Sequence, residues 1–444
     1  MKNHIHLIVI AALGLLVGTA SAQQSTEMTL KQAQEYALQN SFDAKTTRYN
    51  AESAALTTKG LVATGLPQIN GSMQYASYFN VPAMVVPAGV FGPSEQRIQL
   101  QQPENVTAGI TASQLLFSGT WLVGLEASKS YEVLQNKNIQ KSEITVKQNV
   151  ASNYYLALVS AESVKILQES RLALSNTLRD TEAMFDNGFV EKQDVDQLML
   201  SLNEIDIQIS YAEQQNKNVL DLLKMSIGYP LSNELVLTDN LDSVLADDNS
   251  ASLLNSDFNA QNTIDFQVTQ QALTMQKLNM KSKKAAYLPT LAGVLNYQTQ
   301  AMRGEFNFFD TSKPWIYSNY WGLQLNVPIL SGGQRRHAVS QADVEVRRYT
   351  DMLALTEQAS ILEYRSARSS FDNANKVYES SKRSLKLAND IYNTSDIKYK
   401  EGIATSFDLT QRNTQVIQAK GAYIQATLGL LNAKTRLTKA LNQL

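Results

Sequence analysis

The sequence predicts an α+β chain made of two copies of one structural unit, each with two β-strands and a long antiparallel helical hairpin. The first observation is a duplication: the segment from Gln39 to Pro67 is matched by the segment from Gln261 to Pro289. The other two are strands that alternate between apolar and polar residues and helices with a coiled-coil spacing. A repeat this long indicates a duplicated architectural unit, not a solenoid of short repeats.

The first residues have the features of a secretory signal peptide. Lys2 supplies a positive charge, residues 7–16 are apolar, and Ala20-Ser21-Ala22 is a small-residue cleavage site. The apolar run is shorter than the ~20 residues that a membrane-spanning helix needs. We therefore expect residues 1–22 to be removed and the mature chain to begin at Gln23.

Composition excludes several kinds of chemistry. The chain has no cysteine, and after signal removal its one histidine is His337. Disulfides, thiolate metal sites and histidine-based metal sites or triads are thus excluded within one chain, and we expect no metal, no cofactor and no enzyme activity. A net charge of −2 with 18% charged residues also argues against nucleic acid as a partner.

Two pairs of strands follow Pro67 and Pro289. Their expected ranges are about 68–80, 104–117, 290–302 and 319–330. In the last of them Trp321, Leu323 and Leu325 alternate with polar residues. A length of about ten residues and one-sided polarity fit the strands of a membrane β-barrel. A soluble sandwich with one buried face is the alternative, but we find no other strands in the chain. Four strands cannot close a barrel, so the pattern requires an oligomer.

The helices carry an alternating three-and-four spacing that is typical of coiled coils. In the second half the positions are Phe371, Ala374, Tyr378, Ser381, Leu385, Ala388, Tyr392, Ser395 and Tyr399. The corresponding positions of the first half keep this rhythm, with Arg171 as the one poor fit. We expect long hairpins at 118–228 and 331–441, with a first arm roughly 100 Å long.

The predicted repeats span residues 23–240 and 241–444. Within each repeat a loop joins the two strands, at about 80–103 and 302–318. The stretch 239–255 is rich in Asp, Ser and Asn, which predicts a surface connection between the repeats.

The order of these elements resembles the TolC-like outer membrane efflux protein family. The resemblance is carried by the Leu-Pro entries, the strand-to-helix turns Leu116-Phe117-Ser118-Gly119 and Leu330-Ser331-Gly332-Gly333, and the Phe/Tyr-x-x-Gly tips at 185–188 and 399–402. It covers the chain from about Met28 to Leu441. It implies a homotrimeric channel-tunnel, with a 12-stranded β-barrel in the outer membrane of a Gram-negative bacterium and an α-helical barrel in the periplasm.

The family resemblance also implies partners and a task. Such a protein is not an enzyme but the passive exit duct of a tripartite pump, in efflux or type I secretion. The implied partners are two further copies, a periplasmic membrane-fusion adaptor, an inner-membrane pump of RND or ABC type, and outer membrane lipid. The cargo is not specified by the sequence.

The resemblance assigns a periplasmic gate to residues near the tips. Tyr399 matches a linking tyrosine, Asp194 its acidic partner, and Asp408 the first of two aspartates in an acidic ring. Gln411 stands at the second aspartate's position, and Ala404 replaces an arginine of the closing link. We therefore expect a weaker electrostatic lock, in which a tyrosine-to-aspartate hydrogen bond can persist. The two aspartates are equally consistent with helix caps.

The tips themselves resemble the family's adaptor-docking turns. Their residues are Asn187, Gly188, Phe189, Glu401, Gly402 and Ile403. Exposed apolar side chains on an isolated turn favour an interface.

A periplasmic coiled-coil scaffold without a pore is the alternative function. It explains the helices but gives the four alternating strands no role. A passive porin-like channel gives the long helices no role. Membrane fractionation separates the first alternative from a channel, because a scaffold is soluble without detergent.

Overall fold

The computed structural model describes residues 26–90, 92–246, 253 and 256–444. The predicted signal peptide lies outside the described residues, as does part of the predicted connection at 239–255. In chain order the elements are β1 Thr26–Met28, α1 Leu30–Asn40, α2 Phe42–Thr64, β2 Gln68–Ser77, β3 Ala83–Val86, β4 Gln96–Gln99, β5 Glu104–Ser118, α3 Gly119–Asp186, α4 Lys192–Ile227, β6 Leu235–Leu237, α5 Leu241–Ala246, α6 Ile264–Ala285, β7 Thr290–Arg303, β8 Ile316–Asn326, α7 Gln334–Lys400 and α8 Ser406–Ala440.

The four long strands form one antiparallel sheet in the order β2-β5-β7-β8. Both edge strands, β2 and β8, therefore have one side without a partner in this sheet. The last strand ends at Asn326, short of the predicted position, because Pro328 has no N–H to donate to a sheet ladder. The two pairs of strands predicted from alternation are present in the sheet.

The sheet has one apolar and one polar face. Cross-strand neighbours on the apolar face include Ile110 opposite Tyr297 and Leu295 opposite Trp321. The large apolar side chains exposed on this face are Ile69, Met73, Tyr75, Ile110, Leu295, Tyr297, Trp321, Leu323 and Leu325. Successive residues of a strand point to opposite faces, so the Asn, Gln, Ser and Thr residues between them share the other face.

The expectation that the chain has no other strands was wrong. The short strands β1 and β6 pair in parallel, and β3 and β4 form an antiparallel pair within the first predicted loop. Strands of three or four residues are too short to show a recognisable alternation.

The described chain divides into two compact units. One contains the described residues of Met1–Phe42, Val146–Leu253 and Ser370–Arg436, and the other contains those of Asp43–Thr145, Leu254–Ser369 and Leu437–Leu444. In the first unit the Tyr154 side chain is fully buried, and its hydroxyl donates to the carbonyl oxygen of Met28 at 3.0 Å. In the second unit Lys141 forms an ion pair with Asp265, with 2.6 Å between nitrogen and oxygen.

The predicted coiled-coil positions of α7 form its less exposed side. Phe371 and Tyr399 are buried, and each predicted position between them is more shielded than most of its neighbours. Arg171, the poor fit in the first half, is exposed and forms an ion pair with Asp206 of α4. A charged residue is thus accommodated by turning outward to an acidic partner.

Gly228 ends α4 in a turn that requires glycine. Its φ of 76° lies in the left-handed region, which other residues rarely adopt. A Cβ at this position would collide with the carbonyl oxygen of Asn40, at the end of α1. The close approach of these two helix ends therefore depends on the missing side chain.

No helix among the described residues is long and apolar enough to cross a membrane.

Candidate functional site

Both hairpins turn at their tips with the same backbone geometry. At the first tip, residues 187–189, Gly188 has a φ of +79° and Phe189 N–H donates to the carbonyl of Met184 at 2.9 Å. At the second tip, residues 401–403, Gly402 has a φ of +71° and Ile403 N–H donates to the carbonyl of Lys398 at 2.8 Å. A left-handed glycine followed by this long-range bond is the Schellman ending of a helix.

The tips present apolar side chains to solvent. Phe189 is 80% exposed and Ile403 is 75% exposed. Asn187 and Glu401 beside them are exposed as well. Burial of apolar surface is favourable, so an uncovered pair of this kind is a candidate protein–protein contact.

Tyr399 connects the two hairpins through Thr181 of α3. The Tyr399 hydroxyl lies 2.5 Å from Oγ1 of Thr181, and both residues are buried. Thr181 already donates its one hydroxyl proton to the carbonyl of Thr177 at 2.8 Å. Tyr399 is therefore the donor in the pair, because each hydroxyl carries one proton.

The environment of Tyr399 keeps its hydroxyl protonated. Burial raises the pKa of Tyr399 above its usual value; the bond with Thr181 offsets part of this rise, and the negative charges of Asp194 and Asp180 add to it. A phenol in this setting remains a hydrogen-bond donor at any physiological pH.

Asp194 makes two kinds of contact at the start of α4. One carboxylate oxygen accepts from the backbone N–H of Glu191 at 3.3 Å, which closes a capping box. The other oxygen accepts from the hydroxyl of Ser406, the first residue of α8. Asp194 therefore caps its own helix and also bonds the second hairpin.

Asp408 caps α8 in a parallel manner. Its carboxylate accepts from the Thr405 hydroxyl at 2.8 Å, and its own N–H donates to that hydroxyl oxygen at 3.2 Å. The bond from the Thr405 side chain, followed by that from the Thr405 backbone, lowers the pKa of Asp408 below its usual value. Gln411, one turn further along α8, is exposed.

Two of the predicted gate residues bond side chains that the sequence did not single out as their partners. Among the described residues Tyr399 bonds Thr181 and Asp194 bonds Ser406, and a tyrosine-to-aspartate bond at a gate stays a prediction. Thr181 is the first-half position that corresponds to Ser395 in the coiled-coil spacing, so a polar residue there was a usable signal. Ser406 carried no such signal, because serine at a helix start is common.

The tip residues offer binding surface and hydrogen bonds. No cluster of three or more metal-ligating side chains is found in the part of the chain that the structure describes. The arrangement can hold two helical hairpins together by a few polar bonds that are separate from the apolar core. Such bonds, unlike a broad apolar seam, can be exchanged for water at modest cost.

Comparison with solved structures shows which class of protein has this fold. The Campylobacter jejuni CmeC outer membrane channel matches with a TM-score of 0.72 at 17% identity, over 93% of this chain and 85% of that one. VceC, an outer membrane protein of Vibrio cholerae, matches with 0.68 at 13% identity, over 93% and 95%. The open-state MtrE outer membrane channel of Neisseria gonorrhoeae matches with 0.67 at 16% identity, over 93% and 88%. The fold is thus that of a TolC-like channel-tunnel protomer.

The family model named "Outer membrane efflux protein" matches residues 259–443. The predicted resemblance to the TolC-like outer membrane efflux proteins is therefore confirmed: the family model matches the second half of the chain, and the fold matches over nearly the whole chain. The predicted outer membrane localisation agrees with this family. No curated protein matches the chain.

Proposed function

We propose that three copies of this chain form the passive exit duct of a tripartite pump, crossing the outer membrane and the periplasm in efflux or type I secretion. The observation that carries the proposal is the four-stranded sheet with an exposed apolar face and two unpaired edges. Lipid cannot satisfy the N–H and C=O groups of a sheet edge, so such a sheet must close with others. Three copies supply twelve strands, enough for a barrel with a water-filled interior.

The polar face of the sheet suits the interior of that barrel. Asn296 donates to Thr111 at 2.9 Å, and Gln300 donates to Asn105 at 3.1 Å. Neutral amides and hydroxyls of this kind line a water-filled pore without selecting one cargo. The chemistry of the cargo is therefore set by the pump that loads the duct.

In the proposed pump, the tips provide the surface on which the adaptor docks. Phe189 and Ile403 would be covered by a periplasmic adaptor, which links the duct to an inner-membrane pump of RND or ABC type. The bonds of Tyr399 to Thr181 and of Asp194 to Ser406 would hold the tips in one arrangement. Asp408 would contribute one carboxylate per chain to the tunnel entrance.

Two adjacent residues of β8 test whether the apolar face meets lipid. Leu323 is 65% exposed on that face, and Gln324 points to the other side. A lysine facing the centre of a bilayer costs about 2–4 kcal/mol, whereas one facing water costs little. Leu323→Lys should therefore reduce the protein recovered from outer membranes, and Gln324→Lys should not. Equal recovery of the two variants would contradict the assignment of the faces.

Pore formation is tested with the purified protein in planar bilayers. If the protein forms the proposed duct, we expect discrete conductance steps. After chemical crosslinking we also expect a species the size of three chains. A periplasmic scaffold predicts neither, and predicts a protein that is soluble without detergent. Photo-crosslinkers placed at Asn187 and Glu401 in cells would then identify the adaptor and distinguish an RND pump from an ABC pump.

A further inference from the structure

The helix-to-strand junction between α6 and β7 and the strand-to-helix junction between β8 and α7 carry cations that the first half lacks. Lys283 and Lys284 lie in the last turn of α6, just before β7, and Arg335 and Arg336 lie in the first turn of α7, just after β8. We name these four residues the cationic junction. Thr290 of β7 pairs with Asn326 of β8, so both groups lie at the same end of the same two strands.

Negative charge is absent from this part of the sequence. Residues 266–304 and 311–342 contain no aspartate or glutamate. Lys281 forms an ion pair with Glu126 of α3, whereas Lys283, Lys284 and Arg336 are exposed and have no acidic partner among the described residues. Three unneutralised cations at one end of the same two strands repel one another, and an external anion would relieve this repulsion.

An apolar surface adjoins the cations. The apolar row of β8 continues beyond the strand to Val327 and Ile329, and Leu330 follows. Ile329 is 92% exposed and Leu330 is 89% exposed, the highest exposures of large apolar residues near the junction. On β7 the matching row continues back towards the exposed Tyr287.

Arg335 joins the cations to the apolar edge. Its Nη1 donates to the carbonyl of Pro328 at 2.8 Å, and its guanidinium lies 5.4 Å from the centre of the Tyr287 ring. Tyrosine and arginine side chains favour the boundary between lipid tails and water, where each can keep its polar end hydrated. These contacts hold Arg335 at the boundary between the exposed apolar residues and the cations.

The corresponding ends of the first half are neutral. Lys59 is the one cation between residues 53 and 95, and residues 105–125 carry no charge. Apolar residues stand near the equivalent positions, among them Leu61, Val62, Leu122 and Val123. The charge is therefore not a general requirement for joining these strands to these helices.

We propose that the cationic junction binds the phosphate groups of anionic phospholipids in the periplasmic leaflet of the outer membrane. This inference rests on the proposed function, which places the apolar face of the sheet in lipid. Charge complementarity and continuity with the apolar face identify the occupant: a molecule with acyl chains beside Ile329 and Leu330 and a phosphate within reach of Lys283, Lys284 and Arg336. A phospholipid with a net negative charge meets both conditions.

The test compares lipids retained by the full mature protein in nanodiscs that contain equal amounts of phosphatidylglycerol and phosphatidylcholine. Native mass spectrometry of the released protein should show preferential retention of phosphatidylglycerol. The variant Lys283→Gln/Lys284→Gln/Arg336→Gln should lose this preference, by about fivefold for each cation removed. Arg335 is left unchanged because it also holds the backbone at Pro328.

A matched control removes three exposed cations from α7 at a distance in sequence from the junction: Lys382→Gln/Arg383→Gln/Lys386→Gln. This variant should keep the preference. Equal retention of both lipids by the unaltered protein, or equal loss in both triple variants, would overturn the lipid site. A protein that still conducts in bilayers would in that case leave the proposed function standing, whereas a protein that never enters bilayers overturns both.

Discussion

The hydroxyl of Tyr399 donates a hydrogen bond of 2.5 Å to Oγ1 of Thr181, a residue of the other hairpin. Both side chains are buried, and the bond lies close to the two tips. It is a polar contact between the first arms of the two hairpins, α3 and α7. Its removal should therefore loosen the tips without disturbing the rest of the helices.

Tyr399→Phe should lower the free energy of unfolding by about 0.5–1.5 kcal/mol, the usual net contribution of one hydrogen bond. Thr181 keeps its bond to the Thr177 carbonyl, so no buried hydroxyl is stranded. Thermal unfolding monitored by circular dichroism measures the change. Tyr378→Phe is the matched control, because its hydroxyl lies 3.5 Å from that of Tyr423 and makes at most a weak bond. Equal changes in the free energy of unfolding for the two variants would show that the Tyr399 hydrogen bond does not stabilise the fold.

Thr405→Ala should weaken the start of α8 in a pH-dependent manner. The pKa of Asp408 in the folded chain lies below its usual 3.8, chiefly because the Thr405 hydroxyl bonds the carboxylate. The stabilising effect is therefore complete above the unfolded-state pKa and is lost as pH falls through the lower folded-state value. The difference in melting temperature between the unaltered protein and the variant should thus shrink as the solution is acidified below pH 3.8.

The control for this prediction is Thr405→Ser, which retains the hydroxyl. Its melting temperature should follow that of the unaltered protein across the same pH range. A constant gap between Thr405→Ala and the unaltered protein at all pH values would mean that the carboxylate does not depend on this hydroxyl.

Asp408→Asn should lower the preference of the proposed pore for cations over anions. The substitution removes one carboxylate per chain and keeps a side chain of the same size, and Gln411 provides no second charge. Reversal potentials in asymmetric salt measure the effect. Asp372→Asn removes an exposed carboxylate elsewhere on α7, where Asp372 pairs with Lys376, and should change the preference less. An unchanged reversal potential in Asp408→Asn would exclude this residue from the ion path.

Gly228→Ala should destabilise the first compact unit by about 1–3 kcal/mol, because it forces a left-handed φ on alanine and a clash with Asn40. Gly421→Ala is the matched control within α8, where a Cβ meets nothing within 4 Å. It should stabilise the helix by about 0.5–1 kcal/mol. Chemical denaturation measures the two changes in the free energy of unfolding. Opposite signs would confirm that the destabilisation by Gly228→Ala comes from the turn and not from the loss of a glycine.

Much of the fold followed from periodicity. The alternation in residues such as Trp321, Leu323 and Leu325 predicted β8, and the three-and-four spacing from Phe371 to Tyr399 predicted the buried side of α7. Such patterns are readable because each repeats over many residues and reports one local geometry. The strands β3 and β4 were missed because four residues are too few to show a period.

The sequence by itself determined the two duplicated halves, the long helices, the one-sided strands and the positions of the tip glycines. These depend on local spacing and on residues with restricted or unusual backbone freedom. Only the tertiary structure decided that Tyr399 bonds Thr181, that Asp194 bonds Ser406, and that Lys283 and Arg336 lie at one end of the sheet. Residues far apart in the chain become neighbours through the packing of the whole fold, and no local pattern records which hydroxyl or charge will face which.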